Sequence, residues 1–281
     1  MFAKDLLANK TIIITGGGSG LGRSMATRFC ELGASVVIAS RKLEVLTMTA
    51  REITEQTGGK VLPLELDVRN YRDIERVIDR TVDELGLIHG LVNNAAGNFL
   101  SPTEHLSHKA FDAIVDIVLR GSYYFSLALG KHWIAQKQPG TMLNIVTTYA
   151  STGSGYVVPS SISKAGVLNL TRSLAAEWGP KGIRTNAIAP GPFPTKGAWQ
   201  RLVPDPAMEK QITERIPLRR LGEHGELADL AAYLMCDGSG FINGEVVTID
   251  GGEWLAGAGE FNFLDRLTPE DWAEFSKKLK R

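Results

Sequence analysis

Thr15-Gly16-Gly17-Gly18-Ser19-Gly20-Leu21-Gly22 follows directly on the apolar run Thr11-Ile12-Ile13-Ile14. Glycines at this spacing permit a tight turn and let backbone N–H groups and a helix N-terminus close on a phosphate. Between a strand and a helix, that chemistry is the binding of a dinucleotide pyrophosphate, with Gly16, Ser19, Gly20, Leu21 and Gly22 as its candidate contacts. The next apolar run ends at Ser40-Arg41-Lys42, where an NAD-binding chain would present an acid to the ribose 2′-hydroxyl. Arg41 suits a 2′-phosphate dianion instead, and the missing acid removes the repulsion against one. NADP(H) is therefore the expected cofactor, the alternative being that Arg41 and Lys42 simply open a solvated helix. Asp67 can accept from an adenine amino group or cap a helix, and Asn93-Asn94-Ala95-Ala96-Gly97 offers small residues beside a cofactor.

These segments need a frame that brings their ends together. Short apolar runs at 11–15, 34–40, 61–68, 90–96, 141–148, 183–190 and 244–252 alternate with longer helical patterns. Their near-continuous Val/Ile/Leu character suits strands buried on both faces, and the intervening helices suit right-handed parallel crossovers. The expected fold is α/β: a single Rossmann-type doubly wound parallel sheet of seven strands with helices on both faces, with 1–281 as one domain. Residues 191–222, with Pro192, Pro194, Pro204, Pro206 and Pro217, read as an irregular or short-helical segment, either a lid over a substrate or a surface loop. Residues 260–281 form an extension ending in an amphipathic helix, with Thr268 as its cap and Pro269 at its first position.

Composition narrows the partners. Lys plus Arg and Asp plus Glu each total 31 of 281 residues, so no global field favours nucleic acid or an anionic membrane. Cys30 and Cys236 lie far apart, Cys30 within an apolar helical pattern, which fits buried free thiols. No metal site is expected. The first residues lack a signal peptide's apolar core, and no later apolar run reaches the roughly 18 residues of a membrane span. The chain reads as soluble and intracellular, cytoplasmic in a bacterium or in the mitochondrial matrix as a processed eukaryotic chain.

Over nearly its whole length the sequence resembles the short-chain dehydrogenase/reductase family, through the TGxxxGxG loop, Asn93 to Gly97, Pro190-Gly191 and Asp250-Gly251-Gly252. That family carries a catalytic Tyr four residues before a Lys, a Ser thirteen before the Tyr, and an Asn in the preceding helix. Lys164 is kept, but Ser160 stands at the Tyr position, Thr147 at the Ser position and Val118 at the Asn position. A Ser hydroxyl is a poor substitute for a phenol whose pKa a neighbouring Lys⁺ can lower, so ordinary carbonyl reduction is disfavoured. Two readings survive: a binding protein that has lost catalysis, or an enzyme that has moved its acid. Tyr149, one residue beyond the fifth apolar run, favours the second, because its phenol can enter the same crevice from another direction. Asn98 supplies an amide donor on the neighbouring strand end, where one substrate oxygen could accept from both. Taken alone, Tyr149 reads equally well as an aromatic packed at a strand end, and Asn98 as a turn residue.

The strings at 93–107, 147–167 and 190–202, with Gly259-Glu260-Phe261-Asn262, resemble the 2,4-dienoyl-CoA reductases of mitochondrial and bacterial type. Those enzymes share the displaced Tyr, the Ser in its usual place and the Asn after the Gly. The resemblance implies NADPH-dependent reduction of 2,4-dienoyl-CoA to trans-3-enoyl-CoA in fatty acid β-oxidation. Tyr149 and Asn98 would be donors to the thioester oxygen, and Tyr149 or a water it orients would protonate the α-carbon. Lys164 would hold the nicotinamide ribose, Ser160 would bridge Lys164 to substrate or cofactor, and Pro190, Gly191 and Phe193 would pass over the carboxamide. Arg69, Phe99, Ser107 and Arg201 are the implied acyl-CoA contacts, although exposed arginines are mostly solvated and Ser107 is equally a cap for the helix starting at His108. A homotetramer assembled through helices at about 105–136 and 157–179 is also implied. The alternatives are a reductase of another acyl thioester or carbonyl substrate, and an inert NADP-binding protein.

Overall fold

The computed structural model describes residues 2–195, 199, 203 and 205–279. Thr11–Thr15 (β1) is buried at every position and pairs in parallel with both Ser35–Ser40 (β2) and Gly90–Asn93 (β4). Val61–Glu65 (β3), Gly140–Ile145 (β5), Ile183–Pro190 (β6) and Val246–Ile249 (β7) complete a parallel sheet of order β3-β2-β1-β4-β5-β6-β7. The winding reverses between β1 and β4, and ligands of such sheets bind beyond the strand ends at that crevice. The expected seven-stranded α/β fold is thus observed. Its strands at 61–68, 90–96 and 244–252 are shorter than the apolar runs suggested; in the first of these Leu66 and Val68 stay buried after the strand ladder has ended.

Strand pleating sorts the core. Ile12 and Ile14 point to a layer containing Met25 and Phe29 of Gly20–Glu31 (α1), Leu46 and Ile53 of Leu43–Thr57 (α2), and Leu227 of the later helix 224–235. Ile13 points to the opposite layer, with Ile74, Val77 and Ile78 of Tyr71–Leu85 (α3). That i, i+3, i+4 spacing is the reason α3 lies along the sheet. Asn70 starts α3 by accepting from the Arg72 N–H at 3.1 Å, which leaves Asp67 free of any capping duty.

The second layer also holds one helix running from 108 to 135: His108–Val115 (α4), a wider π turn at Asp116–Arg120, and Gly121–Ala135 (α5). Its extent matches the helix expected at about 105–136, and by length and composition it could cross a membrane. Its apolar character is explained by the core, since Ile114, Val118, Phe125, Leu129 and Trp133 are all buried. Tyr149–Thr152 (α6) and Val158–Trp178 (α7) follow β5.

After β6 come Pro206–Arg215 (α8), His224–Met235 (α9), Glu253–Ala258 (α10) and Pro269–Leu279 (α11). Asp205 caps α8, and Thr268 caps α11 by accepting from the Asp271 N–H at 3.2 Å. Cys30 and Cys236 are both free and buried, and burial pushes the Cys30 thiol up to about 12.

Candidate active site

The glycine loop is fixed by close packing. Gly16 has φ 69°, in the left-handed region, and a Cβ on Gly22 would stand 2.4 Å from the Gly16 carbonyl oxygen. Thr15 Oγ1 accepts from the Asn94 and Ala95 N–H groups at 3.0 and 2.9 Å, and Asn94 Nδ2 donates to the Thr15 carbonyl at 2.9 Å. The end of β4 therefore braces the loop after β1. Ser19 precedes α1 without a side-chain cap bond, so the first N–H groups of that helix face outward. A loop this close to its neighbours, opening onto a helix N-terminus, fits a dinucleotide pyrophosphate, with Gly20 and Leu21 in the first turn of α1.

At the end of β2 Arg41 is exposed, and its charge reaches Asp67. The Arg69 guanidinium grips Asp67 by three bonds, Nε to Oδ1 at 2.9 Å and to Oδ2 at 3.1 Å, and Nη2 to Oδ2 at 2.5 Å. This contact holds the Asp67 carboxyl below its ordinary value, with Arg41 adding a smaller pull. Arg69, expected on an acyl-CoA, is thus tied to the residue expected on the adenine.

On the far side of β4 the chemistry gathers around α7. The chain leaving β5 turns through α6, and the Tyr149 hydroxyl lies 3.2 Å from Ser160 Oγ. Ser161 Oγ donates to the Tyr149 carbonyl at 3.3 Å, fixing the backbone from which the phenol projects. Lys164, one turn beyond Ser160 on the same face of α7, is buried and donates to the Ile145 carbonyl at the end of β5. Burial pushes its amine down to about 8. Phenol, hydroxyl and amine thus converge at one strand end, an arrangement that can donate to a substrate oxygen with positive charge behind it.

Asn98 and Tyr149 lie at equivalent distances along the chain, each five residues beyond the paired Asn93 and Asn144. Asn98 Oδ1, an acceptor, is buried and has no hydrogen-bond partner among the described residues. The Ser101 N–H donates to the Tyr156 carbonyl at 2.9 Å, joining the loop that carries Asn98 to the one that leads into α7.

A cleft of about 610 Å³ opens at these strand ends, lined by Tyr149, Gly191, Ile212, Arg215, Glu253 and Trp254 among others. Asn98, Ser160 and Lys164 are not among its lining residues, and Ser160 meets the lining through Tyr149. Burial raises the Glu253 carboxyl, and Arg215 opposes the shift from 3.5 Å. Sequence reasoning missed Arg215, Glu253 and Trp254, which the fold unites from distant segments. Thr147 also lines the cleft, whereas Val118 is fully buried.

The remaining expected contacts divide. Pro190 is the last residue of β6, and the Gly191 N–H donates to Ile249 at 2.9 Å, which sets the chain across the cleft. Phe193 is buried against Gly222. Phe99 is exposed, Ser107 caps α4 by accepting from the Ala110 N–H at 3.2 Å, and Arg201 lies outside the described residues.

A family model described as Enoyl-(Acyl carrier protein) reductase matches residues 16–253. A protein of Bacillus subtilis (strain 168), named a probable 2,4-dienoyl-CoA reductase that produces the (2E)-enoyl-CoA, is 44% identical over 89% of this chain and 98% of its own. A peroxisomal 2,4-dienoyl-CoA reductase of Pongo abelii, named as producing the (3E)-enoyl-CoA, is 38% identical over 99% of this chain and 94% of its own. The crystal structure of a short chain dehydrogenase from Bacillus anthracis str. 'Ames Ancestor' superimposes with a TM-score of 0.81 at 44% identity, covering 88% of this chain and 97% of that one. With the braced glycine loop and the buried lysine, these likenesses show that the chain belongs to the short-chain dehydrogenase/reductase family, whose members bind a nicotinamide cofactor.

Proposed function

We propose that this protein is an NADPH-dependent 2,4-dienoyl-CoA reductase that yields a trans-3-enoyl-CoA in fatty acid β-oxidation. The observation that carries the reading is the Tyr149 phenol in the cleft wall, bonded to the Ser160 that occupies the family's usual tyrosine position. When bound, the nicotinamide supplies a hydride. Addition of hydride to the distal carbon of a conjugated dienoyl thioester sends negative charge to the thioester oxygen, which needs donors rather than an alcohol acid. Tyr149 is such a donor, and the Nδ2–H of the Asn98 amide is a second; each typically contributes about 10²–10³ in rate. Ser160 orients the phenol, while Lys164 holds the nicotinamide ribose and lends positive potential.

The position of the proton decides the product. Protonation at the α-carbon leaves the 3-enoyl thioester, and protonation at the γ-carbon leaves the 2-enoyl one. A donor engaged with the thioester oxygen is nearer the α-carbon, so Tyr149, or a water it orients, favours the 3-enoyl product. Arg41 supports NADPH through the 2′-phosphate. Phe99, exposed beside the Asn98 turn, and Arg201 are the acyl-CoA contacts retained; Arg69 and Ser107 would first have to leave their internal partners. Ile212 and Arg215 of α8 wall the cleft, which supports 191–222 as a substrate lid on the single domain. A groove of about 460 Å³ bordered by Leu119, Tyr123, Gly166 and Leu170, on the two long helices, supports a homotetramer packed through them. The test is a panel of saturated ketone, 2-enoyl-CoA and 2,4-dienoyl-CoA substrates with the product double bond located by NMR. A 3-enoyl product from the dienoyl substrate is expected; preferential ketone turnover would reject the reading.

A further inference from the structure

His224 opens α9, and its ring lies between α1 and the chain that leaves β6. Nδ1 is 3.0 Å from Ser24 Oγ, and Nε2 is 2.7 Å from the Pro194 carbonyl oxygen. A carbonyl oxygen only accepts, so Nε2 carries the proton in that contact. Ser24 Oγ in turn lies 3.1 Å from the carbonyl oxygen of Gly20, the first residue of α1. Thr195 closes the circuit, since a Cβ built on Gly20 would stand 3.2 Å from its methyl carbon. Two further ties hold the same stretch: the Gly222 N–H donates to the Pro192 carbonyl at 3.0 Å, and the Phe193 ring covers Gly222. The chain from 192 to 194 is thus fastened to the approach and first turn of α9, and His224 carries that fastening onward to the helix of the glycine loop.

We propose that His224 is a positioning residue that clamps the Pro192–Thr195 stretch onto the first turn of α1 and thereby slows release of the nicotinamide cofactor. It acts through Pro194, on the chain that leaves β6, and Ser24, on the helix that follows the glycine loop, and holds those two segments at a fixed separation before the cofactor arrives. The clamp rests on the family's nicotinamide cofactor and is independent of the acyl substrate.

The experiment measures cofactor affinity and dissociation rate on the full chain by fluorescence titration and stopped-flow displacement. The probe is whichever of NADPH and NADH the wild type binds more tightly. His224→Ala is expected to speed dissociation about tenfold, the scale of two lost hydrogen bonds. His224→Gln, whose amide can still donate to Pro194, should return to within about threefold of wild type. Ser24→Ala should weaken binding in the same direction, and the double variant should be no worse than His224→Ala, because both residues serve one bridge. Wild-type dissociation from His224→Ala, or losses that add in the double variant, would overturn the clamp. If His224→Ala does not fold, Ser24→Ala decides alone, with faster dissociation supporting the clamp and an unchanged rate rejecting it.

Discussion

The Tyr149 hydroxyl lies 3.2 Å from the hydroxyl of Ser160, one helical turn ahead of the buried Lys164. The phenol reaches this place from the end of β5 rather than from α7. Replacing Tyr149 by Phe keeps the ring and removes the donor. Turnover should fall at least about tenfold while NADPH affinity stays nearly constant, as expected for a contact made to the reacting oxygen. Steady-state kinetics with an independent binding titration separates the two; unaltered turnover would assign the donor elsewhere.

In the proposed mechanism Lys164 should impose a basic limb on the activity. Its amine is pushed down to about 8 by burial, so the charged form declines as the pH rises through that value. The profile of kcat/KM reports the free enzyme and should therefore fall above about pH 8. Lys164→Arg, which stays charged throughout, should have lower activity and no such limb. A wild-type profile flat well beyond pH 8 would show that this charge is not used.

The proposed NADPH preference rests on Arg41. Arg41→Glu places a carboxylate where the 2′-phosphate is expected and should weaken NADPH at least about tenfold while sparing NADH. Dissociation constants for both cofactors check this, and a parallel loss of both would remove Arg41 from discrimination.

His89 makes the fold sensitive to acid. Its Nδ1 accepts from the Thr11 N–H at 3.0 Å, which requires the unprotonated nitrogen, and burial lowers its pKa, with Lys10 adding to the effect. The unfolded chain therefore takes up this proton at a higher pH than the folded one. Stability is fully present above about pH 6.5 and declines as the pH falls below it. His89→Asn, which offers an acceptor that does not titrate, should show a smaller drop in Tm between pH 7.5 and pH 5.5 than the wild type. An equal drop would assign the acid sensitivity to other groups.

The sheet was legible because its five inner strands, β2, β1, β4, β5 and β6, are buried along most of their length, and the glycine loop because few other residues tolerate such close backbone approach. Tyr149 became visible through Ser160, a hydroxyl standing where the family has a phenol. Local competition hid other roles: Asp67 and Arg69 are close enough in sequence to pair with each other, and Ser107 is already engaged by the helix it caps. Arg215 meets Glu253, and His224 meets Ser24 and Pro194, only after folding, so no spacing along the chain announces them.

The most direct measurement is NADPH consumption by the purified protein with 2,4-hexadienoyl-CoA. Rapid turnover that depends on the dienoyl substrate is predicted. NADPH binding without turnover, or turnover no faster than with a saturated ketone, would contradict the account.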